Sequence, residues 1–240
     1  MHYDVLSAVV DELSSLLTGA RVERVLEGKD RGLYLLVRND RKNFTLLLSP
    51  SRSLPRLHLV SAKPQSASDP HSLVLSLRSR IVGARMTGIA LLNQDRVAEF
   101  RFARDADEYR LIFELTGSST NLFFIDADSC ILALYYPVSI SEKATRTLLT
   151  GARYVLPEKR APALSSKTVH HVDEDPSPNK AAEAHYEHLA EKQQTEAIRS
   201  ALRAPAGKAL ARAERLREAL SNDLDAVQDP EPYRIKGDLI

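Results

Sequence analysis

Two sets of strands each open on the tripeptide Gly-Ala-Arg, at Gly19–Arg21 and at Gly83–Arg85, and each set follows an amphipathic helix. This repetition constrains the fold more than any other feature of the chain. Before the first tripeptide, Val5, Leu6, Val9, Val10, Leu13, Leu16 and Leu17 recur at helical spacing, and Gly19 is placed to end that helix. Before the second, Leu73, Leu77 and Ile81 fall at i, i+4 and i+8, which predicts a helix over 70–81. The first set of strands is ARVERVLEG, GLYLLVR and NFTLLLS, separated by turns at GKDRG and NDRK. The second is ARMTGIALL, RVAEFRF, YRLIFEL, NLFFID and ILALYY, with turns at Arg104–Glu108, Gly117–Thr120 and Asp126–Ser129. Pro50 to Pro70, rich in Ser and Pro, reads as a long loop. An internal duplication of helix plus strands predicts an α+β fold, a two-sheet β-sandwich carrying two helices.

The rest of the chain differs in character. Residues 137–179 hold Pro157, Pro162, Pro176 and Pro178 and read as a linker. Residues 180–240 are rich in Ala, Glu, Arg and Leu. Two helices are expected there, one over Ala181–Arg203 and one over Lys208–Val227, with Pro205-Ala206-Gly207 breaking or kinking the run. Leu210, Ala213, Leu216, Leu220, Leu224 and Val227, at steps of three and four, form a seam of coiled-coil type. The expected domains are therefore 1–136, a sandwich; 137–179, a linker; and 180–240, a helical coiled-coil arm.

Charge is unevenly spread although the formal net charge is only +1. Between Arg41 and Arg104, eleven Lys and Arg residues stand against three acids; between Asp105 and Tyr136, six acids stand against Arg110 alone. Such a basic stretch fits a patch for a polyanion, phosphate foremost. It equally fits charge that disperses once the chain folds. Cys130 is the single cysteine, which excludes an intrachain disulfide and a multi-cysteine zinc site. No stretch resembles a signal peptide or a membrane span, so a soluble cytoplasmic protein without a membrane partner is expected. The segment GIALLNQDRVAEFRF places Asp95-Arg96 where an apolar run meets the start of a strand. A charged pair held by rigid backbone suits reading a partner; a surface ion pair, worth about 0–1 kcal/mol, fits the same spacing. Asn121, after a Gly-Ser-Ser-Thr turn, is expected to cap that turn. His170-His171 with Asp173, Glu174 and Asp175 are adjacent in a linker and are not expected to converge on a metal. No phosphate loop or Ser-His-Asp motif occurs, and no cofactor is expected.

Taken in order, LLLSPSRSLPRLHLV, LRSRIVGARM, LNQDRVAEFRF, LIFELTGSSTNLFFID and LLTGARYVLP resemble the NFACT family, also called the fibronectin-binding protein A family. DPSPNKAAEAHYEHL resembles the family's entry to its coiled coil, and PYRIKGDLI a later coiled-coil motif. The family includes ribosome-associated quality-control factors that act on stalled large subunits. The resemblance implies a non-enzymatic RNA-binding factor that engages tRNA, rRNA and the large ribosomal subunit and supports untemplated tailing of the nascent chain. It places the family's Asp-Arg pair on Asp95-Arg96 and its Glu-aliphatic pair on Glu114-Leu115, both implicated in tRNA engagement. Arg56, in the LPRLHL match, and Arg21 are further phosphate candidates. A guanidinium can donate two bonds to a phosphate or base edge, and a carboxylate can accept from ribose hydroxyls or base amines. The family's older name implies an alternative, a fibronectin-binding adhesin. The family's helix–hairpin–helix module and C-terminal RNA-binding domain have no counterpart here, which leads us to expect a shortened relative or a fragment, with or without independent activity. The family's N-terminal domain is also similar to that of formamidopyrimidine-type glycosylases, whose N-terminal proline and glutamate are here His2 and Tyr3. Glycosylase chemistry is therefore not expected.

Overall fold

A computed structural model describes residues 1–138, 146–158 and 177–228, together with Arg234. Helix α1 spans Tyr3–Leu17 and buries Leu6, Val9, Val10, Leu13 and Leu17 along one stripe. It ends where Gly19 takes a left-handed φ of 88°, a conformation that costs glycine little. Strands β1 (Arg21–Glu27), β2 (Leu33–Asn39), β3 (Lys42–Ser49) and β4 (Arg56–Leu59) then form an antiparallel meander. Helix α2, Ser72–Ile81, buries Leu73, Val74, Leu77 and Ile81 and ends before Gly83, at φ 85°. Strands β5 (Arg85–Leu91), β6 (Val97–Arg104), β7 (Asp107–Glu114), β8 (Asn121–Asp126) and β9 (Ile131–Leu134) complete the second set.

The sheet differs from the expected pair of sheets in one respect. Hydrogen bonding runs through all nine strands as a single ladder in the order β4-β3-β2-β1-β5-β6-β7-β8-β9. The halves join at a seam where β1 and β5 pair only at Arg21 and Arg85. The two Gly-Ala-Arg turns make this seam. Gly19 N–H donates to the Met86 carbonyl (2.8 Å) and Met86 N–H to the Ala20 carbonyl (2.8 Å), while Gly83 N–H donates to Val22 (2.8 Å) and Val22 N–H to Ala84 (2.9 Å). Both first strands then shift register, between Val22 and Arg24 and between Met86 and Gly88. Each helix packs on the first strand of the other half, α1 on β5 and α2 on β1. The duplication read in the sequence is thus an exchanged packing of two half-units.

The core is filled by Phe100, Phe102, Phe113, Phe123 and Phe124 with leucines from both helices and β2–β3. Uninterrupted buried runs in β6 to β8 show that these strands are covered on both faces. The second cover comes from residues 146–158. Leu148 and Tyr154 pack on Val97, Ile112, Phe123, Ile125 and Ile131. A third Gly-Ala-Arg turn lies here, with Gly151 at φ 86° and the bonds Gly151 N–H to Ile131 (2.8 Å) and Ile131 N–H to Ala152 (2.9 Å). Part of the stretch read as a linker is therefore packed chain.

Helix α3 runs Pro178–Gln228 without interruption, which corrects the expected break at Pro205. Proline lacks the N–H of one helical bond, but the Ala-, Leu- and Arg-rich flanks carry the helix through it. Two compact units divide the chain, Met1–Tyr186 and Glu187–Ile240. In the first, the root of α3 is fastened to α1 and β4. The Glu12 carboxylate accepts from Ser177 Oγ (2.7 Å), Asn179 N–H (2.9 Å) and Asn179 Nδ2 (2.8 Å), and Asn179 Oδ1 accepts from Leu59 N–H (2.9 Å). His58 stacks on Tyr186 with ring centroids 5.9 Å apart. In the second unit, Leu210, Leu216, Leu220 and Leu224 lie exposed along the helix.

Three outcomes follow from these contacts. Asn179→Ala leaves buried groups without partners and is expected to cost about 1–3 kcal/mol in urea denaturation; an unchanged midpoint would show that α3 is not anchored there. Burial holds the His58 pKa below its ordinary 6.5, with Arg56 also disfavouring its charge, against the opposing pull of the Leu59 carbonyl and Glu183. A base depressed in the folded state stabilises fully above its unfolded pKa and loses that stability as the pH falls below about 6.5. His58→Phe should therefore flatten the fall in stability between pH 7.5 and 5.5. Finally, Pro205→Ala should raise helical ellipticity at 222 nm and stabilise the helix by up to about 3 kcal/mol.

Candidate nucleic-acid interface

The turn joining β5 to β6 is fixed by backbone hydrogen bonds on both sides of Asn93-Gln94. Asn93 and Gln94 take left-handed φ values of 53° and 51°, which Asn tolerates better than most residues. Leu92 N–H donates to Val97 (2.8 Å), Asp95 N–H to Leu92 (3.0 Å) and Val97 N–H to Asp95 (2.8 Å). The Asp95 carboxylate accepts the backbone N–H of Arg96 at 2.7 Å. It therefore fixes the main chain of Arg96 rather than its guanidinium, and the pair is not the surface ion pair that its spacing also allowed. The Arg96 carbonyl accepts from Leu115 N–H at 2.8 Å. Among the described residues, no carboxylate forms a salt bridge with the half-buried Arg96 side chain. Burial, and then the charge of Arg96, lower the pKa of the Met1 amine.

Glu114 and Leu115 lie beside this turn, since Glu114 pairs with Val97 across β6–β7. Both side chains are buried, Glu114 at 2% exposure and Leu115 at 0%. Arg146 grips the Glu114 carboxylate with two bonds, Nη1 to Oε1 at 2.7 Å and Nη2 to Oε2 at 3.1 Å. The Tyr154 hydroxyl donates to Oε1 at 2.7 Å. Burial opposes the charge of Arg146, but the Glu114 bonds outweigh it and its pKa is raised. Burial and the Glu114 charge push the Tyr154 phenol far up, so it remains a donor. Glu114 thus ties residues 146–158 to the end of β7, while Leu115 ties β7 to the Arg96 turn. Arg146 and Tyr154 escaped sequence reasoning, because their link to Glu114 crosses more than thirty residues.

The other two candidates stand elsewhere. Arg56 opens β4 with its guanidinium 3.8 Å from Asp30, which also accepts from the Tyr34 hydroxyl (2.8 Å). Beside it is a cleft of about 390 Å³ lined by Asp30, Arg31, Ser51, Arg52, Ser53 and Tyr136. Arg52 lies 4.6 Å over the Tyr136 ring, and Arg31 reaches the buried Glu27 at 3.2 Å. Arg21 is exposed at the start of β1. Asn121 does not cap the Gly117–Ser119 turn as expected. Its Oδ1 accepts from Leu122 N–H (2.9 Å) and Tyr136 N–H (2.8 Å), and its Nδ2 donates to the Tyr136 carbonyl (2.9 Å), which pins the chain leaving β9. Among the described residues no group of three His, Cys, Asp or Glu could hold a metal; His170-His171 and Asp173–Asp175 lie outside them.

Comparison with known proteins matches this architecture to one group. The chain is 28% identical over 158 residues to a protein of Streptococcus pneumoniae named Rqc2 homolog RqcH, covering 63% of this chain and 29% of that protein. It is 27% identical over 152 residues to the Bacillus subtilis protein of the same name, covering 61% and 27%. Human ribosome quality control complex subunit NEMF is 28% identical over 127 residues, covering 53% and 11%. The chain therefore spans less than a third of the length of these relatives. Among solved structures, the N-terminal part of the fibronectin/fibrinogen-binding protein of Streptococcus suis superposes with a TM-score of 0.63 at 26% identity, covering 66% of this chain and 61% of that one. The N-terminal domain of the fibronectin-binding protein PavA of Streptococcus pneumoniae gives 0.62 at 26%, covering 69% and 64%. Residues 3–175 match the family described as NFACT N-terminal and middle domains, and with nearly three quarters of its length inside that match the chain belongs to the NFACT family.

Proposed function

We propose that this chain is a non-enzymatic RNA-binding factor of ribosome-associated quality control, which engages tRNA and rRNA on the stalled large ribosomal subunit and supports tailing of the nascent chain in the cytoplasm. The observation that carries this reading is the Arg96 turn. Its backbone is bonded on both sides, and its guanidinium has no carboxylate partner among the described residues. A pre-organised arginine loses little freedom on meeting a phosphate or base edge. The names of the relatives, ribosome quality control factors, give this chemistry its context.

Each candidate residue takes a part in this proposal. Arg96 contacts tRNA, and Asp95 holds its backbone in place. Glu114 and Leu115 act as positioning residues through Arg146 and through the Leu115–Arg96 bond. Arg56 and Arg21 supply phosphate contacts. The sandwich domain, 1–136, carries the RNA contacts, with its two half-units as facing layers. Residues 137–179 join it to the arm, 180–240, whose exposed leucine seam pairs with a second helix in a coiled coil. No described helix is long and apolar enough to cross a membrane. A second reading, fibronectin binding, is favoured by the names of the structural neighbours, fibronectin-binding proteins. It predicts saturable binding to immobilised fibronectin, which the first reading does not.

Co-sedimentation with tRNA-obstructed large subunits tests the proposal. Arg96→Ala should weaken binding by about 1–3 kcal/mol and leave the thermal midpoint nearly unchanged, because the guanidinium has no carboxylate partner among the described residues. Wild-type binding by Asp95→Ala/Arg96→Ala would remove the pair from the interface. Glu114→Gln should instead lower stability by about 3 kcal/mol, since it breaks a buried ion pair. Its binding defect should shrink at low temperature, where the 146–158 segment stays docked.

A further inference from the structure

Arg21, Arg38 and Arg85 stand directly opposite one another on three adjacent strands. Arg21 pairs with Arg38 across β1–β2 and with Arg85 across β1–β5. Residues paired in this way share one face of a sheet, with Cβ atoms about 4.5–5.5 Å apart. All three are exposed. Like charges directly opposite destabilise a sheet, and among the described residues none of the three has a carboxylate salt-bridge partner.

The same sheet shows how such a clash is otherwise resolved. Arg101 and Arg110 also pair across β6–β7, and there Glu99 lies 3.6 Å from each guanidinium. Among the described residues no acid forms a salt bridge at the seam. Arg85 Nη1 donates to the Gly19 carbonyl at 3.0 Å, and Arg21 Nη2 lies close to Gly83, so each reaches over the turn of the other half. A guanidinium has five donors in a fixed fork, which leaves both with donors facing solvent, and Arg38 has no described tie at all.

We infer that the Arg38–Arg21–Arg85 row is a binding site for the phosphodiester backbone of RNA, separate from the Arg96 turn; this inference rests on the RNA-binding reading above. Three guanidinium groups on neighbouring strands, spaced about 4.8 Å apart by the ladder, form a rigid cationic rail. Phosphates laid on it cancel the repulsion and release counterions. Contacts of this kind set orientation without reading sequence. The register puts the row at one end of the β5–β6 pair and Arg96 at the other, because Arg85 faces Ala103 while Leu91 faces Ala98. From Ala103 to Val97 at about 3.3 Å per residue the separation is about 20 Å. A mononucleotide cannot reach both places; a polynucleotide can. The Gly-Ala-Arg repeat then serves two ends at once. Its glycines join the half-units, and its arginines carry the phosphates of the strand that crosses the joint.

The test uses the full chain, unfractionated tRNA as the probe, and titrations at several salt concentrations. Arg21→Gln/Arg38→Gln should lower affinity severalfold and reduce the slope of log affinity against log salt by about 1.5, as expected for two lost phosphate contacts. Its thermal midpoint should hold or rise, because a repulsion is removed. Arg21→Lys/Arg38→Lys should keep most of the slope, and inorganic phosphate at millimolar concentration should compete poorly. An unchanged slope in the Gln variant overturns the inference, while loss of binding in Arg96→Ala alone would leave the functional reading standing. A lowered midpoint with a normal slope shows the row to be structural and also overturns it. Tighter binding to phosphatidylserine vesicles, lost in the Gln variant while tRNA affinity is unchanged, assigns the row to a membrane surface instead.

Discussion

Four main-chain hydrogen bonds at the seam hold the two half-units in one sheet, and everything else in the first unit is placed by them. They form only because Gly19 and Gly83 take left-handed backbone immediately after a helix. An L side chain at either position would be strained. The turn reverses the chain so that the following Ala and the second residue of each strand meet their counterparts across the seam. With β1 and β5 paired at one residue each, the helices secure the joint, each buried against the strand of the opposite half. The arrangement makes the half-units interdependent: each helix packs on later strands of its own half, α1 on β2 and β4 and α2 on β6 and β9, but takes its first strand from the other half.

Glutamates do the long-range fastening. Glu27 is almost fully buried in β1, yet it accepts from the His71 backbone N–H at the start of α2, from Arg31 and from the Tyr135 hydroxyl. Glu12 does the same for the root of α3, and Glu114 for the 146–158 segment. A buried carboxylate is costly unless its lone pairs are filled. Glu27 and Glu114 are buried and Glu12 is half-buried, and each accepts from at least one segment distant in sequence, so the cost of burial is offset only when those segments are docked. Such groups make docking closer to all-or-none than apolar contact alone, because partial docking leaves a buried charge unsatisfied.

The elements that sequence revealed are those with local periodic signals. Helical spacing in α1 and α2, alternation in the strands and glycine at the helix ends were all readable, because each depends on neighbours within a turn or a strand. Strand β4 carries no such signal: Arg56–Leu59 is only four residues long and sits among Ser and Pro, and β3 alone makes it a strand. The packing of Leu148 and Tyr154 was hidden because two apolar anchors in a Pro-bounded stretch carry no period. Pro205 misled for the opposite reason, since a strong local rule was overridden by helix-forming flanks. At the candidate site the Asp95-Arg96 pair was legible, but the bonds that hold it were not. Its spacing could not show that the carboxylate would take the backbone N–H rather than the guanidinium. Nor could sequence show that Glu114 faces inward to Arg146, a residue supplied from across the fold.

The charge asymmetry of the sequence left two outcomes open, dispersal and a patch, and the described arginines divide into those with an acid partner and those without. Arg31, Arg56, Arg101, Arg110 and Arg146 each find an acid: Glu27, Asp30, Glu99 or Glu114. Those arginines fasten the sheet, and their charge is matched internally. Arg21, Arg38, Arg85 and Arg96 have no such partner among the described residues, although Arg85 is tied to the Gly19 carbonyl. Formal net charge near zero therefore hides a division of labour, because acids drawn into structural pairs cannot neutralise the surface. The unmatched set lies at the starts of β1 and β5, near the end of β2 and on the β5–β6 turn, whose backbones are already fixed, so a phosphate meeting these side chains does not have to order the chain beneath them. A cation kept solvated on rigid backbone contributes little to folding. On the RNA-binding proposal, its electrostatic energy is left for a partner that brings the missing negative charge.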